Sequence, residues 1–328
     1  QIYGNRASDD GWGGGGGVYI WNSPDSHVYD TTIYGNTASN SSLEMGEGGG
    51  LAFSGSDVWL GTSIIRDNVA NAMTGNGIGG GLYMEDGNST VAETVIRHNT
   101  AGASGWGGGG GIWFGLNDTS TIENSVLMDN VGGATADSPG AGLASEWSYP
   151  SLYHVTFHGN SGGDGSGINA FFSSAVTVTN AIVVSHSVGI TVESGSSAVV
   201  DGVLWYGNSL DSGGLGGLSL SNESTGNPLF ERDGYHIQYG SAAMDVGVNA
   251  GVFLDIEMDY RPYASGYDLG ADEWVSPPIT EPIDPETGGT LIFTDTRGLT
   301  TTVEVPPGAV SETIVLVFET LPILPHPS

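Results

Sequence analysis

The sequence contains no cysteine and no lysine. Without cysteine there are no disulfide staples and no thiolate metal sites. Without lysine, six arginines face 37 acidic residues, and the formal net charge is −31. A surface of that sign repels phosphate backbones, which excludes nucleic acid as a partner. No stretch approaches the ~18 consecutive apolar residues of a membrane-spanning helix. Apolar residues make up 38% of the chain, low for a globular protein yet too regularly placed for a disordered one. No helical period of useful length is present.

Glycine is abundant, with 56 residues. It gathers in blocks that precede short apolar runs: GGGGGVYI (13–20), GEGGGLAF (46–53), GIGGGLYM (77–84) and GGGGGIWF (107–114), then the weaker SPGAGLAS (138–145) and DGSGINAF (164–171). Their last glycines are Gly17, Gly50, Gly81, Gly111, Gly142 and Gly167. A second series keeps step with the first: IYGN (33–36), IRDN (65–68), IRHN (96–99), LMDN (127–130), FHGN (157–160) and WYGN (205–208), with IYGN at 2–5 opening the chain. In the first five coils the distance from last glycine to motif asparagine is 18 or 19 residues, whereas the return from asparagine to glycine varies and falls to 7 between Asn160 and Gly167. One segment is constant and the other is an insertion, as in a solenoid whose loops leave from one face. Runs such as GLYM, TTIYGN and VTVTNAIVV alternate apolar and polar residues, so the repeating unit is built of strands. The glycines are then loops arriving at a strand, coil after coil. No secretory leader stands at the start and the chain opens in mid-coil, so upstream sequence with a signal and a capping coil is expected.

The GGG-(Leu/Ile/Val) blocks alternating with an apolar-x-x-Asn motif resemble the repeats of polymorphic outer-membrane proteins and of the pectate-lyase-like right-handed parallel β-helix superfamily. NPLF (227–230), DGYHIQYGSAAMDVG (233–247) and DIEMDYRPYASGYDLGADEW (255–274) resemble the closing signature of secreted β-helix proteins of the choice-of-anchor Q type. The family's Ser-Pro-Ala is altered at Ala242 and Ala243, and Met258 stands where it has glycine, which weakens a metal loop at that turn. Residues 275–289 are proline-rich and acidic and read as a semi-rigid linker. Residues 290–322 read as three short strands, and VEVPPGAVSETIVLVF within them is similar to the opening of ZU5-like β-sandwich modules. The expected organisation is therefore an all-β right-handed parallel β-helix over 1–274, a linker over 275–289 and a partial β-sandwich over 290–328.

Several residue groups are candidates for chemistry. Asn36, Asn68, Asn99, Asn130 and Asn160 fall at one turn of successive coils, where asparagine tolerates left-handed backbone and bonds its neighbour's amide, so a structural ladder is expected. His98 falls between Asp67 and Asp129 at the ~4.8 Å coil spacing, either as a pH-sensitive or metal-binding ladder or as weak surface ion pairs. If Leu82 and Met84 face inward, Tyr83 faces out, Tyr19 and Trp113 share its face, and Trp12 and Trp106 adjoin it. Exposed, these five rings would stack on sugars; the alternatives are packing under the inserted loops or contact with a partner chain. Asp255, Glu257, Asp259, Asp268 and Asp272, with Glu273 beside them, offer hard oxygen ligands for calcium, although no EF-hand or GGxGxD repeat is present. Sequons at Asn40, Asn88, Asn117 and Asn222 occur at coil edges and loops.

The polysaccharide-lyase and hydrolase sites found on this architecture need clustered carboxylates with an Arg or Lys base, or paired aspartates with Gly-His-Gly and Arg-x-Lys. The chain has no lysine and no Gly-His-Gly, and its one adjacent aspartate pair is Asp9-Asp10. The expectation is a non-catalytic extracellular or cell-surface protein, adhesin-like or an envelope stalk, contacting glycans or other surface molecules. The alternatives are a subunit that self-assembles into an extracellular filament through unpaired β edges, and a polysaccharide-active enzyme.

Overall fold

The computed structural model describes residues 1–263, 265–294 and 299–318, and the chain divides into two units, 1–274 and 275–328. The first unit is a parallel β-helix, in which the strands of successive coils pair side by side and similar residues stack. One face is an eight-stranded sheet running from Val18–Trp21 through Leu51–Ser54, Leu82–Glu85, Ile112–Gly115, Leu143–Glu146, Ser166–Phe171 and Val188–Val192 to Leu210–Gly214. The other two faces form one twelve-stranded sheet. They are separate strands in the early coils, Val58–Gly61 and Ile64–Arg66 for example, and merge into single bent strands from Thr121–Met128 onwards. The bend is made by residues at positive φ, among them Thr62, Glu93, Asn124, His154 and Asn180.

Register follows the alternation in the sequence. Leu51, Leu82, Ile112, Leu143, Ile168 and Ile190 pair in turn, as do Ile33, Ile65, Ile96, Leu127, Phe157, Val183 and Trp205. These columns are buried in one continuous core. A slip of one residue would turn every one of them out of this core, which is why the register is strongly specified.

The glycine blocks are more than arriving loops. Gly13–Gly14, Gly46–Glu47, Gly77–Ile78 and Gly107–Gly108 form a four-stranded parallel sheet of their own, and Arg6–Ser8, Thr37–Ser39, Val69–Asn71 and Thr100–Gly102 form another. The two pass so closely that a Cβ on Gly46 or Gly77 would stand 1.8 or 2.0 Å from the carbonyl oxygen of Ala70 or Ala101. Two residues further on, Gly48 and Gly79 turn the chain at φ 63°, a conformation that costs other residues about 1–2 kcal/mol.

Residues 226–274 lie along the outside of the face that carries the motif asparagines. Ile182, Val184 and Leu204, which point away from the main core, pack with Ile237, Ala243 and Leu269, and Val126 and Met128 pack with Ile256 and Ala271. The Ala271 amide donates to Thr156 Oγ1 at 3.0 Å and the Val248 amide to Asn180 Oδ1 at 2.8 Å. The segment is thus a lateral strap.

In the second unit Ile279–Ile283 pairs antiparallel with Ile314–Phe318, and Gly289–Thr294 with Thr300–Val305. The expected linker over 275–289 is corrected: its ITEPI stretch is a strand that ends in a buried Ile283. Pro282 is accommodated because, among the described residues, that strand pairs on one side only, where a missing N–H is tolerated. The three strands expected in 290–322 correspond to 289–294, 300–305 and 314–318, while residues 295–298 and 319–328 lie outside the described residues. Among the described residues no helix is long and apolar enough to cross a membrane.

Candidate functional site

The five motif asparagines stand in one buried column. Each Oδ1 accepts both the backbone amide and the Nδ2 of the asparagine one coil earlier, at 3.0 Å throughout from Asn36 to Asn160. Each Nδ2 also donates to a backbone carbonyl of the preceding coil, such as Ile33 for Asn68 and Ile65 for Asn99. The left-handed residue is not the asparagine, as expected, but the one before it: Gly35, Asp67, His98, Asp129 and Gly159 have φ between 52° and 64°. That turn aims the following asparagine into the wall, and it explains why glycine, aspartate and histidine share the preceding column.

The column continues through a residue that motif reading missed. Asn160 Nδ2 meets His186 Nε2 at 3.2 Å, and the His186 amide donates to Asn208 Oδ1 at 3.0 Å. Burial lowers the His186 pKa to about 4, so a neutral imidazole replaces the amide. Its Nδ1 has no partner among the described residues. Being enclosed, the column has a structural role.

Of the five aromatic candidates, Tyr83 and Trp113 do face away from the main core, yet they are only 6% and 2% exposed. They form a second core with Ala52, Ile78, Ala144 and Phe171, and Trp106 and Met45 pack against it. Of the readings left open for these rings, exposure is corrected and packing under the inserted segments holds for Tyr83, Trp113 and Trp106: the glycine sheets fold back over them and make an interior layer. Trp106 meets Trp113 edge-on at 5.9 Å. Trp12 and Tyr19 remain exposed, in edge contact with each other at 6.2 Å.

A different row of exposed side chains runs along the corner between the eight-stranded face and its neighbour. Trp21 is 70% exposed, and Leu116, Trp147 and Phe172 are exposed on later coils. The Asn117 amide donates to the Trp147 carbonyl at 2.7 Å, which places these coils next to each other, and Trp147 stacks on Phe172 at 5.0 Å and 20°. Trp21 and Leu116 border an open groove of about 580 Å³, also lined by Asn22, Ser54, Glu85, Asp86 and Asn117. Ser54 and the Tyr83 hydroxyl each donate to Glu85 at 2.7 Å and hold its carboxylate in place. Each coil contributes a different residue to this row, so no repeated motif marks it.

His98 stands between the two aspartates, with Nδ1 3.9 Å from Asp67 and Nε2 3.6 Å from Asp129, all roughly half exposed. Asp67 also pairs with Arg66, which lies over the Tyr34 ring. At these distances the group is a set of surface ion pairs worth little in water.

In the strap, the five candidate calcium ligands do not converge. Asp255 is fully buried and accepts the amides of Glu257, Asp259 and Glu273 at 2.8–3.0 Å. Asp268 accepts those of Asp245 and Trp274, and the Asp259 side chain is exposed. The calcium set is corrected for that reason: these carboxylates pin turns. Arg261 is buried among them, donating to Glu273 at 3.0 Å and to the carbonyls of Gly270 and Ala271 at 2.9 and 2.6 Å. Burial raises the pKa of Asp255 to about 6 and of Asp268 and Asp272 to about 7, and the nearby Glu273 charge also raises Asp268. The remaining two candidates, Glu257 and Asp272, meet instead at His236, their ligand atoms all lying within 4.8 Å of one another. Among the sequons, Asn88, Asn117 and Asn222 are exposed and Asn40 is half-buried.

Residues 79–205 match the family model described as right handed beta helix region, which supplies the hand of the solenoid. No curated protein and no solved structure gives a significant match.

Proposed function

Starting from a right-handed parallel β-helix as scaffold, we propose that this is a non-catalytic extracellular or cell-surface protein that contacts glycans along the corner marked by Trp21, Leu116, Trp147 and Phe172. The observation that carries this reading is the exposed row itself, beside a groove with amide and carboxylate groups. Aromatic faces bury the apolar face of a sugar ring, while Asn22, Asn117, Glu85 and Asp86 offer partners to its hydroxyls. At a rise of ~4.8 Å per coil, the five coil steps from Trp21 to Phe172 span roughly 24 Å, enough for several sugar units. The acidic lining and the net charge of −31 favour neutral glycans over polyanions. The non-catalytic reading is supported by the strap carboxylates, most of which are engaged by backbone amides and Arg261. Screening the intact protein against a glycan panel and titrating the hits into Trp21→Ala and Trp147→Ala tests it. Binding that weakens about tenfold in either variant is expected, from about 1–1.5 kcal/mol per stacked ring; affinity unchanged in both variants refutes it, as does release of reducing or unsaturated ends.

A second reading, self-assembly into a filament, is supported by one observation. Leu210–Gly214 and Gly217–Thr225 are hydrogen-bonded in their sheets on one side only, among the described residues, and a free strand edge is a template for another chain. Light scattering of the native protein with and without a chelator separates the two: large assemblies that survive chelation favour the filament, and a monomer favours the glycan-binding module.

A further inference from the structure

The geometry points to a divalent transition-metal site in the strap, formed by His236, Glu257 and Asp272 and suited to zinc, which clasps three separate stretches of the segment together. The three residues come from different parts of the chain, and each is held by its own backbone. His236 sits in the turn bridged by Phe230 and Ile237, where its carbonyl accepts the Glu231 amide at 2.7 Å. Glu257 lies in the turn that Asp255 pins through the amides of Glu257 and Asp259. Asp272 follows Ala271, whose amide is tied to Thr156 of the solenoid wall.

The side chains converge. His236 Nε2 is 2.6 Å from Glu257 Oε1, and ligand atoms of all three residues lie within 4.8 Å of one another. Around an ion with bonds of about 2.0–2.1 Å, ligand atoms are separated by about 3.0–3.4 Å. Side-chain shifts of roughly an ångström or two would close the set.

Two further observations distinguish this place from an ordinary patch of acids. First, the Nδ1 of His236 is bonded to Asp233, and the Tyr235 ring packs against the imidazole at 4.3 Å. The ring is thereby oriented with Nε2 towards the two carboxylates, the arrangement in which a carboxylate-bound histidine serves as a metal ligand. Second, Asp272 is only 7% exposed and accepts the Ile237 amide through Oδ2, its one hydrogen bond among the described residues. Asp255, Asp268 and Glu273 each accept two or more. A carboxylate buried this far is costly to charge unless a cation approaches it, and the side chains it meets are the oriented imidazole and Glu257. Asp233, Glu257 and Asp272 surround the one imidazole, with Asp255 beyond them. A mixed nitrogen and oxygen set of this size suits zinc and its neighbours, whereas calcium takes six to eight oxygens.

The test is calorimetric titration of the intact, chelator-stripped protein with Zn²⁺, with Co²⁺ as a visible-absorbance probe and Ca²⁺ as competitor. One equivalent of Zn²⁺ should bind, Co²⁺ should give a ligand-field spectrum that Zn²⁺ abolishes, and millimolar Ca²⁺ should not displace it. Glu257→Gln and His236→Gln should lose the site, and Asp233→Asn should weaken it about 10–100-fold. Glu257 is exposed, so its variant is expected to fold and decides the matter should the histidine variant fail to. The proposal is overturned by absence of a stoichiometric Zn²⁺ site, by Zn²⁺ affinity unchanged in folded Glu257→Gln, or by Ca²⁺ outcompeting Zn²⁺.

Discussion

Replacing Asn99 by alanine cuts the ladder at its middle. Four side-chain hydrogen bonds disappear: two accepted from Asn68, one donated to the Ile65 carbonyl and one donated to Asn130 Oδ1. At about 1 kcal/mol net each, the loss is about 4 kcal/mol. The buried Asn68 amide and Ile65 carbonyl left without these partners push it upward. In a solenoid each coil interacts chiefly with its neighbours, so the damage stays local. Hydrogen exchange reads it directly: the Asn68 amide should lose about three orders of magnitude of protection, while the Asn36 amide, bonded to the intact Asn68 side chain, should change little. His98→Gly is the control, since it removes only half-exposed ion pairs at 3.6 and 3.9 Å and relieves a residue held at φ 54°; its effect should stay within about 1 kcal/mol. Equal exchange in Asn99→Ala and wild type, or a loss of protection spread evenly over the chain, would refute the reasoning.

Two further predictions follow from the wall of the helix. His186 has a folded pKa near 4, held down by burial, against about 6.5 when unfolded. The unfolded chain therefore binds the extra proton first, and stability present above pH 6.5 is lost as the pH falls towards 4, by up to about 3 kcal/mol. His186→Asn should abolish that part of the acid sensitivity in urea melts at pH 7 and pH 4.5; an unchanged difference between the two would contradict it. Gly77→Ala would put a methyl group 2.0 Å from the Ala101 carbonyl oxygen, where only backbone movement gives relief, and should cost at least about 1–3 kcal/mol, seen as a lower Tm. A variant as stable as wild type would show that the two glycine-rich sheets are not held at that separation.

Much of the wall was legible because it obeys one local rule repeated many times. Alternation marked Leu82 and Met84 as inward, and the recurring asparagine marked the ladder from Asn36 to Asn160. Alternation, however, says on which side of a wall a residue falls, not whether another layer covers it. Tyr83 and Trp113 were placed on the correct side, but whether they stood bare or lay under the inserted segments stayed open, because the return of the glycine sheets over them is a tertiary event that alternation alone does not record. His186 escaped notice because the coil there contracts and the residue type changes. Pro282 outweighed the alternation of its own strand. The corner of Trp21, Trp147 and Phe172 has no repeated residue type, and His236, Glu257 and Asp272 meet only because the strap folds back on itself.

The shortening of the coils also has a mechanical side. The step between paired residues is 31 at Leu51 and Leu82 but 22 at Val183 and Trp205, while the axial rise per coil stays near ~4.8 Å. An early turn therefore stores about 110 Å of extensible chain and a late one about 75 Å, at roughly 3.5 Å per residue. The molecule is a reel wound with turns of unequal length. Because the strap grips the wall from Val95 to Leu204, tension would release the long turns ahead of it first. Length would be yielded in large steps at one end while the strapped end held its shape.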